Sequence, residues 1–171
     1  MASETFVSAM MLITGVVAAA ILIVAVLPVV WSMVGTFSSA SAETDTRMRT
    51  DFKIVTTYSQ GSTNIARVWV KNIGSSRIGL AEVNQSDVLI GLTTNFNRAT
   101  YRSTCTGLLF SEWCLNSISE TPPSPSNGYW DPGETLQIWA KSSAITGSSQ
   151  NVYFQFILPN AVWRSSEFTT T

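Results

Sequence analysis

The sequence contains no histidine. That removes the general base of Ser-His-Asp triads and Cys-His dyads, and the nitrogen ligand of the common zinc sets. Cysteine occurs only twice, at Cys105 and Cys114, too sparsely to complete a metal site without histidine. Charged residues make up 12% of the chain and sum to −1, so no basic field exists for a nucleic acid. The carboxylates beyond residue 50 are scattered. Asp131 and Glu134 bracket Pro132-Gly133 and read as turn chemistry, with a calcium site as the lesser alternative. Nothing marks an enzyme, and no catalytic residue, metal ligand or cofactor is assigned.

Charge is wholly absent from Phe6 to Val34. At 1.5 Å per residue, Phe6 to Leu27 alone gives a helix of roughly 33 Å, enough for the hydrocarbon core of a bilayer. A removable signal peptide has a basic start and a shorter apolar run, and this segment has neither, so a retained helix is expected. Ser3 and Glu4 suit its start. Pro28 predicts a kink or an interfacial break near the end of the span, followed by Trp31 in the zone that tryptophan prefers. Small residues at Gly15, Ala18 and Ala19 would allow close helix packing, with Phe6, Leu22 and Leu27 as apolar neighbours. A lone lipid-facing anchor is the competing reading.

The organisation follows. Residues 1–34 form the apolar helix, in a membrane or a filament core. Residues 35–50 form a polar stalk, with the helix continuing to about Ser41. Residues 51–171 form a β domain, whose extracellular placement rests partly on the resemblance given below. There the period changes to two, in FKIVTTY from Phe52, IARVWVKN from Ile65, SDVLIGL from Ser86, TLQIWAK from Thr135 and VYFQFIL from Val152. About seven short strands separated by turns predict an immunoglobulin-like β-sandwich. Phe52, Ile54, Thr56 and Tyr58 are expected on one face of the first strand. The segment 121–131, with three prolines, is expected to be a loop.

Cys105 and Cys114 read as a disulfide of an oxidising compartment, with two free thiols as the alternative. Asn84-Gln85-Ser86 is a sequon, which makes Asn84 a candidate glycosylation site. Tyr129 and Trp130, in the Pro-rich loop, are the first candidate partner surface. Trp69 and Trp139 lie opposite an apolar row. Burial in the core is the preferred reading for them, and exposure as interface anchors keeps them as a second candidate surface.

The lead MASET into a charge-free helix, then VWVKNIGSSRI, SDVLIG, PGETLQIW and VYFQFILPNAV, resembles archaeal FlaG proteins of the FlaF/FlaG stator family. The resemblance covers nearly the whole chain. It implies a structural component of the archaellum motor, anchored between the membrane and the cell envelope. The sandwich would lie outside, in the pseudoperiplasm, facing a surface-layer protein or a FlaF-type partner. The helix would support a homo-oligomer or filament, and a pilin-like filament subunit or adhesin is the alternative role. The basic residue and glycine that precede the helix in a pilin precursor do not occur here, so no processing is expected at that point.

Overall fold

The computed structural model describes residues 2–119 and 127–171. The chain divides into two compact units, 1–44 and 45–171. Helix α1 runs over Ala2–Arg49, 48 residues or about 72 Å. It continues through Pro28 without an interfacial break, one of the two outcomes expected there, and past Ser41 as far as Arg49. Pro28 forfeits one helical hydrogen bond, and the turns on either side keep theirs. The hydroxyls of Thr36, Ser39 and Thr44 donate to carbonyls one turn back, at 2.9, 3.1 and 2.8 Å. Thr14 does the same toward Met10. This is how an apolar helix satisfies its few polar side chains. Every described side chain of α1 is exposed in the isolated chain.

Among the described residues, the second unit beyond the end of α1 is all-β apart from one short helix. Its strands are β1 Phe52–Gln60, β2 Ile65–Asn72, β3 Ile78–Gly79, β4 Asp87–Leu92, β5 Asn95–Tyr101, β6 Glu112–Ser119, β7 Tyr129–Trp130, β8 Thr135–Lys141, β9 Asn151–Ile157 and β10 Trp163–Thr169. Helix α2, Leu80–Asn84, lies between β3 and β4. Eight strands hydrogen-bond in the order β1-β2-β8-β6-β5-β4-β9-β10, and β3 pairs with β7 separately. All neighbours are antiparallel except β5 and β6, which meet through Thr100↔Glu112 and Tyr101↔Trp113. That bridge joins two four-stranded halves into one mixed sheet. The far edges also approach each other: the Thr171 N–H donates to the Ser59 carbonyl at 3.0 Å, and Arg164 pairs with Asp51 at 2.5 Å. The domain is therefore an all-β fold of sandwich type drawn into a nearly barrel-shaped sheet.

Its core comes from the alternation read in the sequence. Ala66, Val68 and Val70 of β2 and Leu136, Ile138 and Ala140 of β8 are buried, against Val152, Phe154 and Phe156 of β9. Phe156 is the centre of an aromatic group, 5.4 Å from Phe52 and 6.1 Å from Trp113, ring to ring. Such tilted pairs contribute about 0.5–1.5 kcal/mol each beyond their burial. The first strand departs from the expected alternation. A bulge between Ile54 and Thr56 shifts the register, so Ser59 turns inward and Tyr58 stands exposed.

Candidate functional site

The last turn of α1, from Asp45 to Arg49, belongs to the β unit. A helix C-terminus leaves carbonyls without intrahelical partners. Here the turn after β2 supplies the donors. The backbone N–H groups of Ser75 and Ser76 bond to the Arg49 carbonyl at 3.0 and 3.1 Å, and those of Ile73 and Gly74 bond to the Asp51 carbonyl at 3.0 and 2.8 Å. Arg47 Nε adds a bond to the Asn160 carbonyl at 2.6 Å. Gly74 fits because a Cβ there would press into the backbone of Arg49 and stand 2.6 Å from the Asp51 nitrogen.

Asn72 shapes that turn. Its side chain is buried, donates through Nδ2 to the carbonyls of Ser76 and Trp130, and accepts the Gly74 N–H, each at 3.0 Å. The Pro-Gly-Glu turn meets it from the other side: the Gly133 N–H donates to the Asn72 carbonyl at 2.8 Å. Gly133 has φ +91, which glycine adopts readily. Glu134 Oε2 accepts the Asp131 N–H at 2.8 Å, and Asp131 is held by Asn127 and Arg77. Both carboxylates thus serve the turn, and no group of three metal-ligating side chains occurs among the described residues. By itself the Asn72-Ile73-Gly74 segment marks only a turn. Its role as the clamp on α1 depends on Arg49 and Asp51, which the local pattern does not reveal.

The aromatic candidates separate. Trp130 is fully buried, so it cannot form a contact surface. Its Nε1 donates to the Glu134 carbonyl at 3.0 Å, and its ring lies 6.0 Å from Phe52. Tyr129 beside it is 41% exposed, with the Arg77 guanidinium 5.0 Å from its ring centre. Residues 121–126 of the expected Pro-rich loop, 121–131, lie outside the described residues, and Tyr129–Trp130 within it form strand β7 rather than loop. Trp69 and Trp139 are on the outer face of the sheet, half-buried, while the smaller residues fill the core, contrary to the preferred expectation. Arg67 spreads over the Trp139 ring at 4.6 Å and faces Tyr58 at 6.0 Å. That cation–aromatic stack was not legible beforehand, because it spans three strands.

Cys105 and Cys114 are joined, with Cα atoms 5.4 Å apart. The bridge ties the 102–111 segment to β6. Within that segment Leu109 and Phe110 are exposed, and Glu112 Oε2 accepts the Leu109 N–H at 2.8 Å and an Arg102 N–H at 3.0 Å. These bonds, the backbone one first, hold the Glu112 carboxyl below its ordinary pKa against a smaller desolvation effect. Asn84 closes α2, half-buried, with Ser86 of its sequon buried. On α1, Gly15, Ala18, Ala19 and Leu22 follow the spacing of one helical stripe, while Phe6, Leu27, Pro28 and Trp31 are all exposed.

The comparisons with known proteins agree with this architecture. An uncharacterized protein of Archaeoglobus fulgidus is 27% identical, over 99% of each chain. The archaellum periplasmic stator protein FlaG from Sulfolobus acidocaldarius superposes with a TM-score of 0.53 at 21% identity, covering 70% of this chain and 99% of that one. A complex of FlaF and FlaG from the same organism gives 0.52 at 20% identity, covering 68% and 87%. The archaeal flagellum of Methanospirillum hungatei gives 0.63 at 14% identity, covering 96% and 92%. At these identities the structures speak for the fold. The sequence model of the archaeal-type flagellin family matches residues 2–168, and the chain belongs to that family of structural, non-enzymatic archaellum components.

Proposed function

We propose that the chain is a stator-type structural subunit of the archaellum, with α1 as its inner attachment and the β domain as its outer one. A stator resists torque, so force must pass between two attachments without a slack linker. The observation that carries this reading is the clamp at the end of α1, where two backbone N–H groups grip the Arg49 carbonyl of its last turn and two more grip the Asp51 carbonyl just beyond it. On this reading α1 sits at the cell membrane and the domain lies outside. The Cys105–Cys114 bridge fits that placement. The outer attachment would engage an envelope component, a surface-layer protein or a FlaF-type subunit. Deleting the gene should leave archaella assembled while rotation under load is lost. Undiminished rotation under load would overturn the proposal.

A second reading is a filament subunit. The uncharged run favours it: Phe6 to Phe37 is about 48 Å long as a helix, against ~30 Å of hydrocarbon. Loss of the filaments themselves on deletion would replace the stator role with this one.

A further inference from the structure

Strands β1, β2 and β8 carry Lys53, Arg67, Lys71 and Lys141, and no carboxylate. The alternation places all four on the outer face, opposite the buried rows of β2 and β8. None of them forms an ion pair among the described residues. The ion-paired arginines, Arg49, Arg77, Arg98, Arg102 and Arg164, all lie outside these strands. Lys53 and Lys71 are direct cross-strand partners. Like charges at that position destabilise a sheet. Lys141 donates to the Leu108 carbonyl at 3.0 Å and stands opposite Glu112 of β6, so in a chain of net charge −1 the unneutralised positive charge of this face is that of Lys53, Arg67 and Lys71.

The same face carries the aromatic side chains. Arg67 is propped between Trp139 and Tyr58, which leaves the edge of its guanidinium to offer a fork of N–H donors. Trp69 stands opposite Gln137 on the neighbouring strand, and Gln137 Oε1 is already bonded to Asn116 Nδ2 at 2.6 Å. Trp69 and Trp139 are diagonal neighbours, about 7–8 Å apart by sheet geometry.

The geometry points to a binding face for an acidic polysaccharide, a chain of uronic-acid type laid across β1, β2 and β8. Sugar rings present C–H groups that suit the negative face of an indole, here Trp69. Their carboxylates match the Arg67 fork and the Lys53–Lys71 pair, and their hydroxyls suit the amides of Gln137 and Asn116. An acidic protein surface would meet the charge but would leave the indole and amides without matching groups. The inference goes beyond the stator reading and does not rest on it, since a filament subunit would carry the same face.

The test uses the full chain in nonionic detergent, with polygalacturonate, dextran and polyglutamate as probes. Binding is read by tryptophan fluorescence and affinity electrophoresis. Polygalacturonate should bind, dextran should not, and polyglutamate should bind at least tenfold more weakly. Arg67→Gln and the double variant Lys53→Gln/Lys71→Gln should each weaken polygalacturonate binding by tenfold or more. The double variant should melt at or above the parent temperature, because it relieves the Lys–Lys pair. Equal or tighter binding of polyglutamate would reassign the face to an acidic protein. Absence of polygalacturonate binding, or indifference to the substitutions, would sink the inference.

Discussion

Asn72 reaches from the end of β2 to the carbonyl of Trp130, 58 residues further along the chain and 3.0 Å away in space. The same amide holds Ser76 and Gly74, so one side chain ties the turn that grips α1 to the strand that fills the core. Asn72→Leu keeps the volume and removes three hydrogen bonds, taking this donor from the carbonyls of Ser76 and Trp130, while the Gly74 N–H keeps its bond to the Asp51 carbonyl. Each such carbonyl costs about 1–3 kcal/mol, so a loss of about 2 kcal/mol or more is expected in chemical denaturation. A loss below about 1 kcal/mol would contradict this account.

Trp130 and Tyr129 should respond oppositely to truncation. Trp130→Ser opens a cavity beside Phe52 and removes the indole bond to the Glu134 carbonyl, at about 3–5 kcal/mol. Tyr129→Ser removes an exposed ring stacked on Arg77 and should leave the melting curve nearly unchanged. Parallel melts of the two variants check this.

Gly74→Ala should loosen the clamp, because the added methyl meets backbone atoms of Arg49 and Asp51 that cannot rotate away. Gly35→Ala on α1 meets nothing within 4 Å and is its control. Hydrogen exchange should show faster exchange of the Ser75 and Ser76 amides in Gly74→Ala, and parental protection in Gly35→Ala. Equal protection in both variants would mean that the clamp does not depend on this close approach.

Much of this molecule could be read along the chain, and the failures have identifiable causes. An uncharged run announces α1 wherever it sits, and alternation announces β2, β8 and β9, because both faces of those strands have a settled environment. β10 escaped notice because it is an edge strand: Trp163 is half exposed, and only Ser166 and Phe168 turn partly inward. The inward turn of Ser59 depends on a bulge, which no period of two encodes. Size argued for Trp69 and Trp139 in the core. The core is instead filled by Phe52, Trp113, Trp130, Phe154 and Phe156, drawn from four other strands. The clamp and the Arg67 stack are relations between distant segments, so local pattern carried neither.

The Glu112 carboxylate gives the fold a pH signature. Its pKa is lowered in the folded state, first by the Leu109 N–H and then by Arg102. A depressed carboxylate contributes stability above its unfolded value and loses it as pH falls through the folded one. Glu112→Gln should therefore lower the melting temperature at neutral pH. The gap to the parent should close well below the ordinary value of 4.5, where both forms are neutral. A gap that persists in acid would assign the effect to packing.

The length of α1 gives the last prediction. A lone span that enters the hydrocarbon at Phe6 leaves it near Leu27. Beyond that point Met33 and Phe37 are 73% and 75% exposed in the isolated chain. Burial of such side chains is worth about 1.5–3 kcal/mol each, which gives water-facing apolar positions little reason to recur in a solitary anchor. Packing against α1 of other copies would cover them. Met33→Lys/Phe37→Lys should then remove roughly 3–6 kcal/mol of association per subunit, more than a hundredfold, while the β domain melts as in the parent. Cross-linking and sedimentation of the full chain in detergent read the first effect, and calorimetry the second. If parent and charged variant were both monomeric, α1 would be a solitary anchor with its outer turns in water. Force on the β domain would then reach the membrane through a single helix, and a subunit so attached would have to resist torque by its envelope contact alone.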